Sequence, residues 1–211
     1  AHGSAEAQVD LALLHVRGDG GSVDLTEARR LFALAAAQGN PQGQFCLGRM
    51  LRDGEGGPTD AAEARRLFGL SVAQSYVNAQ AHLAHMCCEG QGGSEDILEA
   101  RRLYGLAAAQ GHAEAQYTLA RMFYEGHGGP ADEVEARRLF MLAAAQGFAD
   151  AQLNLAMMWL AGVGGPEDPV EARRLFGLAA AQGSADAQVD LALLHVRGDG
   201  GSVDLTEARR L

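Results

Sequence analysis

The stretch His82-Leu83-Ala84-His85-Met86-Cys87-Cys88 gathers two imidazoles and two thiols in seven residues, the densest set of metal-ligating groups in the chain. Zinc takes four protein ligands in a structural site and three plus water in a catalytic one. Residues three apart share a helix face, so His82 and His85 qualify together. Cys87, however, falls in register with His15, Leu51, Phe123, Trp159 and His195, a column that reads as packed interior. Two ligands are left, and the expectation is no metal and no cofactor. A second set is chemically different. Arg49, His82, His85, Tyr117, Thr118, Arg121 and Asn154 combine cations, aromatic rings and hydrogen-bonding groups, a mixture that suits a peptide backbone or a carboxylate.

Composition narrows the chemistry further. All 17 basic residues are arginine, so a Schiff-base lysine, a P-loop lysine and a Ser-x-x-Lys pair are excluded. Against 27 acidic residues they leave a net charge of −10, the wrong sign for a phosphate backbone, and no nucleic-acid partner is expected. Apolar runs such as residues 34–37 fall far short of the roughly 20 residues that span a bilayer, so no membrane partner is expected either. Cys46, Cys87 and Cys88 are too few and too irregular for a disulfide framework, which favours a reducing compartment. Ala1-His2-Gly3-Ser4 does not read as a signal peptide.

The elements that must position these residues come from a repeat. Glu-Ala-Arg-Arg-Leu recurs at Glu27, Glu63, Glu99, Glu135, Glu171 and Glu207, always 36 residues apart. A fixed period of that size marks stacked supersecondary units. In each unit the spacing predicts a helix A, first over residues 5–17, with Ala7, Leu11, Leu14 and His15 on one face. A Gly-x-Gly-Gly loop then breaks the helix. Helix B begins at Asp24, which forms an Asp-x-x-Glu capping box with Glu27, and carries an apolar stripe of Ala28, Leu31, Phe32, Ala35 and Ala36 as far as Gly39. One such hairpin cannot bury its own apolar face, whereas a file of hairpins can. The expected fold is all-α, stacked helix-turn-helix repeats in a single array over residues 1–211, five full repeats plus a truncated sixth at 184–211.

Comparison among the repeats adds detail. Gln8, Gln44, Gln80, Gln116, Gln152 and Gln188 keep an amide at one place in every helix A, which predicts a repeated inter-helix hydrogen bond. Ser75 stands where other repeats place a helix-ending glycine, so the turn there is expected to differ. Leu34, Leu70, Leu106, Leu142 and Leu178 widen the apolar face of helix B. The Arg-Arg pairs read as a solvated ribbon, with Glu27 three residues before Arg30 and the same spacing repeated.

The pattern Ala-Glu-Ala-Gln-x-x-Leu-Ala, then Gly-x-Gly-Gly, then Glu-Ala-Arg-Arg-Leu-Phe-x-Leu-Ala-Ala-Ala-Gln-Gly resembles the Sel-one-like repeat (SLR) family, relatives of the tetratricopeptide repeat, along the whole chain. The resemblance implies a right-handed α-solenoid that serves as a non-catalytic scaffold, with helix A lining the concave side. Three columns that vary among repeats, beginning at Val9, Asp10 and Leu13, share one stripe of helix A and become the groove floor under that resemblance. The expected function is an adaptor that binds a protein or peptide through Arg49, His82, His85, Tyr117, Thr118, Arg121 and Asn154. The alternative is a structural or engineered array with no ligand of its own. Residues 1–31 recur as 181–211 with two differences, His2/Gln182 and Glu6/Asp186, and neither end carries a polar capping unit. Head-to-tail self-association is therefore also expected.

Overall fold

The computed structural model describes residues 3–210; Ala1, His2 and Leu211 lie outside them. The described residues form twelve α-helices and no strand: α1 (Ala5–Arg17), α2 (Leu25–Ala37), α3 (Pro41–Asp53), α4 (Ala61–Val72), α5 (Val77–Glu89), α6 (Ile97–Ala109), α7 (Ala113–Glu125), α8 (Glu133–Ala145), α9 (Ala149–Ala161), α10 (Pro169–Ala181), α11 (Ala185–Arg197) and α12 (Leu205–Arg210). Odd-numbered helices are the A helices and even-numbered ones the B helices, most of them about 20 Å long. The chain divides into two compact units, Ala1–Ala107 and Ala108–Leu211.

Local chemistry sets where the helices begin. The Asp24 carboxylate accepts the Glu27 N–H at 2.9 Å, and Asp60, Asp96, Asp132, Asp168 and Asp204 repeat that bond. The reciprocal half of the capping box does not form. The Asp24 N–H donates instead to the His15 carbonyl of helix A at 3.0 Å, an arrangement repeated down the chain. Glu27 is thereby free to pair with Arg30 at 2.7 Å.

Packing is sequential within each unit. In the first, α1 to α4 each lie on the next helix in the chain. Val9, Ala12, Leu31, Phe32 and Ala35 close over Met50 of the following hairpin, and Phe45, Leu67 and Phe68 close over Met86 of the one after that. In the second unit α7 to α11 follow the same rule, with Leu119, Met122, Phe140, Leu155, Met158 and Phe176 buried. The small residues of helix A allow this closeness, since a Cβ at Gly43 would meet the Ala35 side chain at 2.7 Å.

Two sets of polar side chains tie the helices together, within hairpins and between them. The amide ladder forms as the sequence indicates. Gln38 donates to Gln8 (2.7 Å), Gln74 to Gln44 (3.0 Å), Gln146 to Gln116 (2.8 Å) and Gln182 to Gln152 (2.8 Å). Gln116 in turn donates to the Ala108 carbonyl, and Gln152 to that of Ala144, in the preceding hairpin. The second set corrects the reading of the Arg-Arg pairs. Arg29 donates to the carbonyls of Glu55 and Pro58 in the loop of the next hairpin, Arg65 to those of Gln91 and Ser94, and Arg137 to those of Val163 and Pro166. Successive helical residues diverge by about 100°, so the first arginine faces the next hairpin while the second, such as Arg30, faces solvent and its glutamate. A side chain at Gly56 would collide with the Leu25 carbonyl, and one at Gly57 with the Arg29 guanidinium. These loops are therefore seats for the preceding helix B as well as turns.

The turn at Ser75 does not differ as the sequence suggested: Ser75 takes φ 62°, the left-handed conformation that Gly39, Gly111, Gly147 and Gly183 adopt at the same place. Its Cβ makes that turn cost about 1 kcal/mol more than glycine would. Leu70, Leu106, Leu142 and Leu178 are each roughly two-fifths exposed, so the widened apolar face of helix B reaches the surface.

Candidate functional site

In the first unit, α3 carries Arg49 and α5 carries His82 and His85. Arg49 is exposed. His82 is half-buried, its ring edge-on to Phe45 at 5.1 Å and stacked on Phe68 at 5.7 Å. Its Nδ1 lies 2.8 Å from the Arg52 guanidinium. Because arginine only donates, Nδ1 is the acceptor in this contact. His85, in contrast, is exposed, with Nε2 3.3 Å from Glu89. It borders an open polar hollow with Arg52, Asp53, Thr59 and Gln91. The two histidines share a helix but not an environment.

The thiols are passive in this setting. Burial pushes Cys46 up to about 11, outweighing the nearby Arg49 charge, and raises Cys87 and Cys88 as well. A protonated thiol is a poor nucleophile and a poor ligand. Cys87 is buried, and its sulfur accepts from Arg65 at 3.4 Å. Among the described residues no three His, Cys, Asp or Glu side chains are grouped so as to hold a metal ion.

In the second unit, α7 carries Tyr117, Thr118 and Arg121, and α9 carries Asn154. Tyr117 is half-buried against Phe140 (5.8 Å) and Phe148 (5.0 Å), and Thr118 is half-buried beside it in sequence. Arg121 is exposed and donates to Glu125 at 3.2 Å, a bond that raises its already high pKa. Asn154 donates to the Asp150 carbonyl at 2.8 Å. Arg121 and Asn154 meet at the rim of a cavity of about 220 Å³, whose remaining walls are Tyr124, Glu125, Phe140, Met157, Met158, Ala161 and Val163. Tyr124 is a wall residue that the sequence reading passed over, although the repeats hold a signal for it. Its column, Val16, Arg52, Cys88, Tyr124, Leu160 and Val196, varies as widely as those that single out Arg121 and Asn154.

The repeat model described as "Sel1 repeat" matches residues 5–40, 41–76, 77–112, 113–148, 149–184 and 185–211. Among solved structures, the chain is similar to a protective antigen of uropathogenic Escherichia coli displaying an SLR fold, at 31% identity and TM-score 0.95 over 99% of this chain and 44% of that one. It thus spans less than half of that antigen. A Sel1 repeat protein from Oxalobacter formigenes is 25% identical with TM-score 0.85, over 98% of this chain and 83% of that one. An immunity protein from Pseudomonas aeruginosa shares the fold alone, at 20% identity and TM-score 0.56 over 98% and 74% of the two chains. No curated protein matches the chain. Sel1 repeats generally serve as protein-interaction scaffolds, a non-catalytic use of the helical hairpin. With its described helices paired as hairpins and six matched repeats covering nearly all of it, the chain belongs to the Sel1 repeat family.

Proposed function

We propose that the chain is a non-catalytic adaptor, a single array over residues 1–211, that binds a protein or peptide on the A-helix faces carrying Arg49, His82, His85, Tyr117, Thr118, Arg121 and Asn154. The observation that supports it is the meeting of Arg121 and Asn154 on one 220 Å³ cavity with exposed apolar walls. Ligand sites combine an apolar surface with a few convergent polar groups in this way. The test compares wild-type chain with an Arg121→Ala/Asn154→Ala double variant as baits, with hydrogen exchange on the purified complex. A partner that protects α7 and α9 and is captured at least tenfold less by the variant supports the adaptor. Equal capture, or protection confined to the B helices, refutes it.

A second reading has its own observation. Near-identical terminal stretches expose opposite faces: Leu11 and Leu14 are exposed where Leu191 and Leu194 are buried, while Val189 is exposed where Val9 is buried. A second copy stacked head to tail would cover both of these apolar faces. Sedimentation should show mass rising with concentration, and Leu14→Asp with Val189→Asp should abolish the rise; a constant mass refutes it.

A further inference from the structure

The same position does different things in the two units. His82 and Asn154 occupy equivalent places in their repeats, as do Phe68 and Phe140, and Arg52 and Tyr124. In the first unit the His82 ring lies on Phe68 and is bonded to Arg52, which covers the phenyl floor. In the second unit Asn154 is too short to do so and turns its amide to the Asp150 carbonyl. A cavity lies there over the buried Phe140 and Met158, walled by Tyr124 and Met157, which are 47% and 43% exposed.

We infer that this cavity is an anchor pocket for one uncharged side chain of phenylalanine, leucine or methionine size, borne on a partner's peptide segment whose amide groups pair with Asn154. The inference rests on the adaptor reading and names what one of its faces recognises. Size agrees: an apolar cavity of about 150 Å³ already holds benzene, and this one measures about 220 Å³. The walls agree too, since methionine adapts to varied shapes and tyrosine is a frequent anchor contact. Charge selects a neutral occupant. Glu125 lies 3.2 Å from Arg121, so the charges at the rim already answer one another. An incoming carboxylate meets Glu125 along with Arg121, and an incoming ammonium meets Arg121 along with Glu125. Asn154 gives one N–H to Asp150 and keeps a second N–H and its carbonyl oxygen, the donor and acceptor that a peptide group requires.

The test uses the full chain with carbon-13 methionine methyls and N-acetyl-L-phenylalanine amide as probe. Met157 and Met158 should shift saturably with a millimolar dissociation constant, as befits so small a ligand, while Met50 and Met86 stay still. N-acetyl-L-alanine amide should move neither pair. Asn154→His installs the histidine seen in the first unit and should weaken the probe at least tenfold, with an unchanged signal from the buried Met122 reporting an intact second unit. The inference is overturned if Met157 and Met158 do not respond, if the alanine amide moves them equally, if Asn154→His binds as wild type does, or if N-acetyl-L-phenylalanine with its free carboxylate binds tenfold tighter than the amide. The titration contains no partner, so its failure leaves the capture result standing, and failed capture leaves the pocket standing.

Discussion

Val9 is 2% exposed and Val189 is 61% exposed, although they sit in stretches of almost the same sequence; Leu14 at 43% and Leu194 at 2% reverse the order. The difference lies in the neighbours. α1 packs on α2 and α3, so Val9 lies under Met50 and Leu47. α11 packs on α10 and α12, and there it is Leu191 and Leu194 that are enclosed. A repeat therefore has no core of its own. Each hairpin carries two half-cores, and the adjoining hairpin decides which of them becomes interior.

The widest gap should come from truncating the reversed pair. Leu194→Ala is expected to cost about 3 kcal/mol, as buried leucines do, and Leu14→Ala under about 1 kcal/mol, both from urea unfolding followed by circular dichroism. Equal losses would break the comparison. The arginines give the next largest contrast. Arg137→Ala removes a buried side chain that bonds two loop carbonyls and stacks 3.6 Å from the Trp159 ring; it should cost about 2 kcal/mol. Its neighbour Arg138 makes only an exposed pair with Glu135, and Arg138→Ala should stay within about 0.5 kcal/mol. Ser75→Gly should add about 1 kcal/mol by relieving the left-handed turn, and Gly147→Ser should remove about as much.

The smallest effect should not distinguish the two terminal stretches at all. Hydrogen bonds from Arg30 and Arg210 hold the equivalent carboxyls Glu27 and Glu207 below the ordinary range. A carboxyl whose pKa is lower in the folded chain stabilises it above the unfolded value and ceases to as pH falls through the folded one. Stability should thus decline as pH drops below about 5. Glu27→Gln and Glu207→Gln should flatten that decline slightly and equally, because this pair needs only its own helix turn. A clear inequality in acid-unfolding curves would show that even surface pairs depend on the adjoining hairpin.

What could be read from residues alone follows the range of the interaction. Period, helix spans and the Asp caps depend on neighbours within a few positions, and the amide ladder follows from a glutamine kept in every helix A, whereas the different turn expected at Ser75 did not appear because the surrounding helices impose the same left-handed backbone there. The arginine contacts were not legible, since Arg29 and Arg30 look alike until the loop of residues 54–59 is set against α2. For the same reason the capping box was half right: nothing local announces that the Asp24 N–H turns to His15. Of the candidate site, variability between repeats singled out Arg121 and Asn154, and only the packed structure places both on one cavity. Nor did variability reveal that His82 lies on Phe68, a contact between helices that only packing creates.

The seating of Gly56 and Gly57 against the helix before them reverses a common division of labour. In most folds loops accept insertions and carry recognition while regular elements hold still. Here a residue added between Gly54 and Pro58 would push the loop off Leu25 and away from Arg29, unfastening two hairpins at once. New specificity on this framework has to be written on the outward faces of its helices, with the connections left alone.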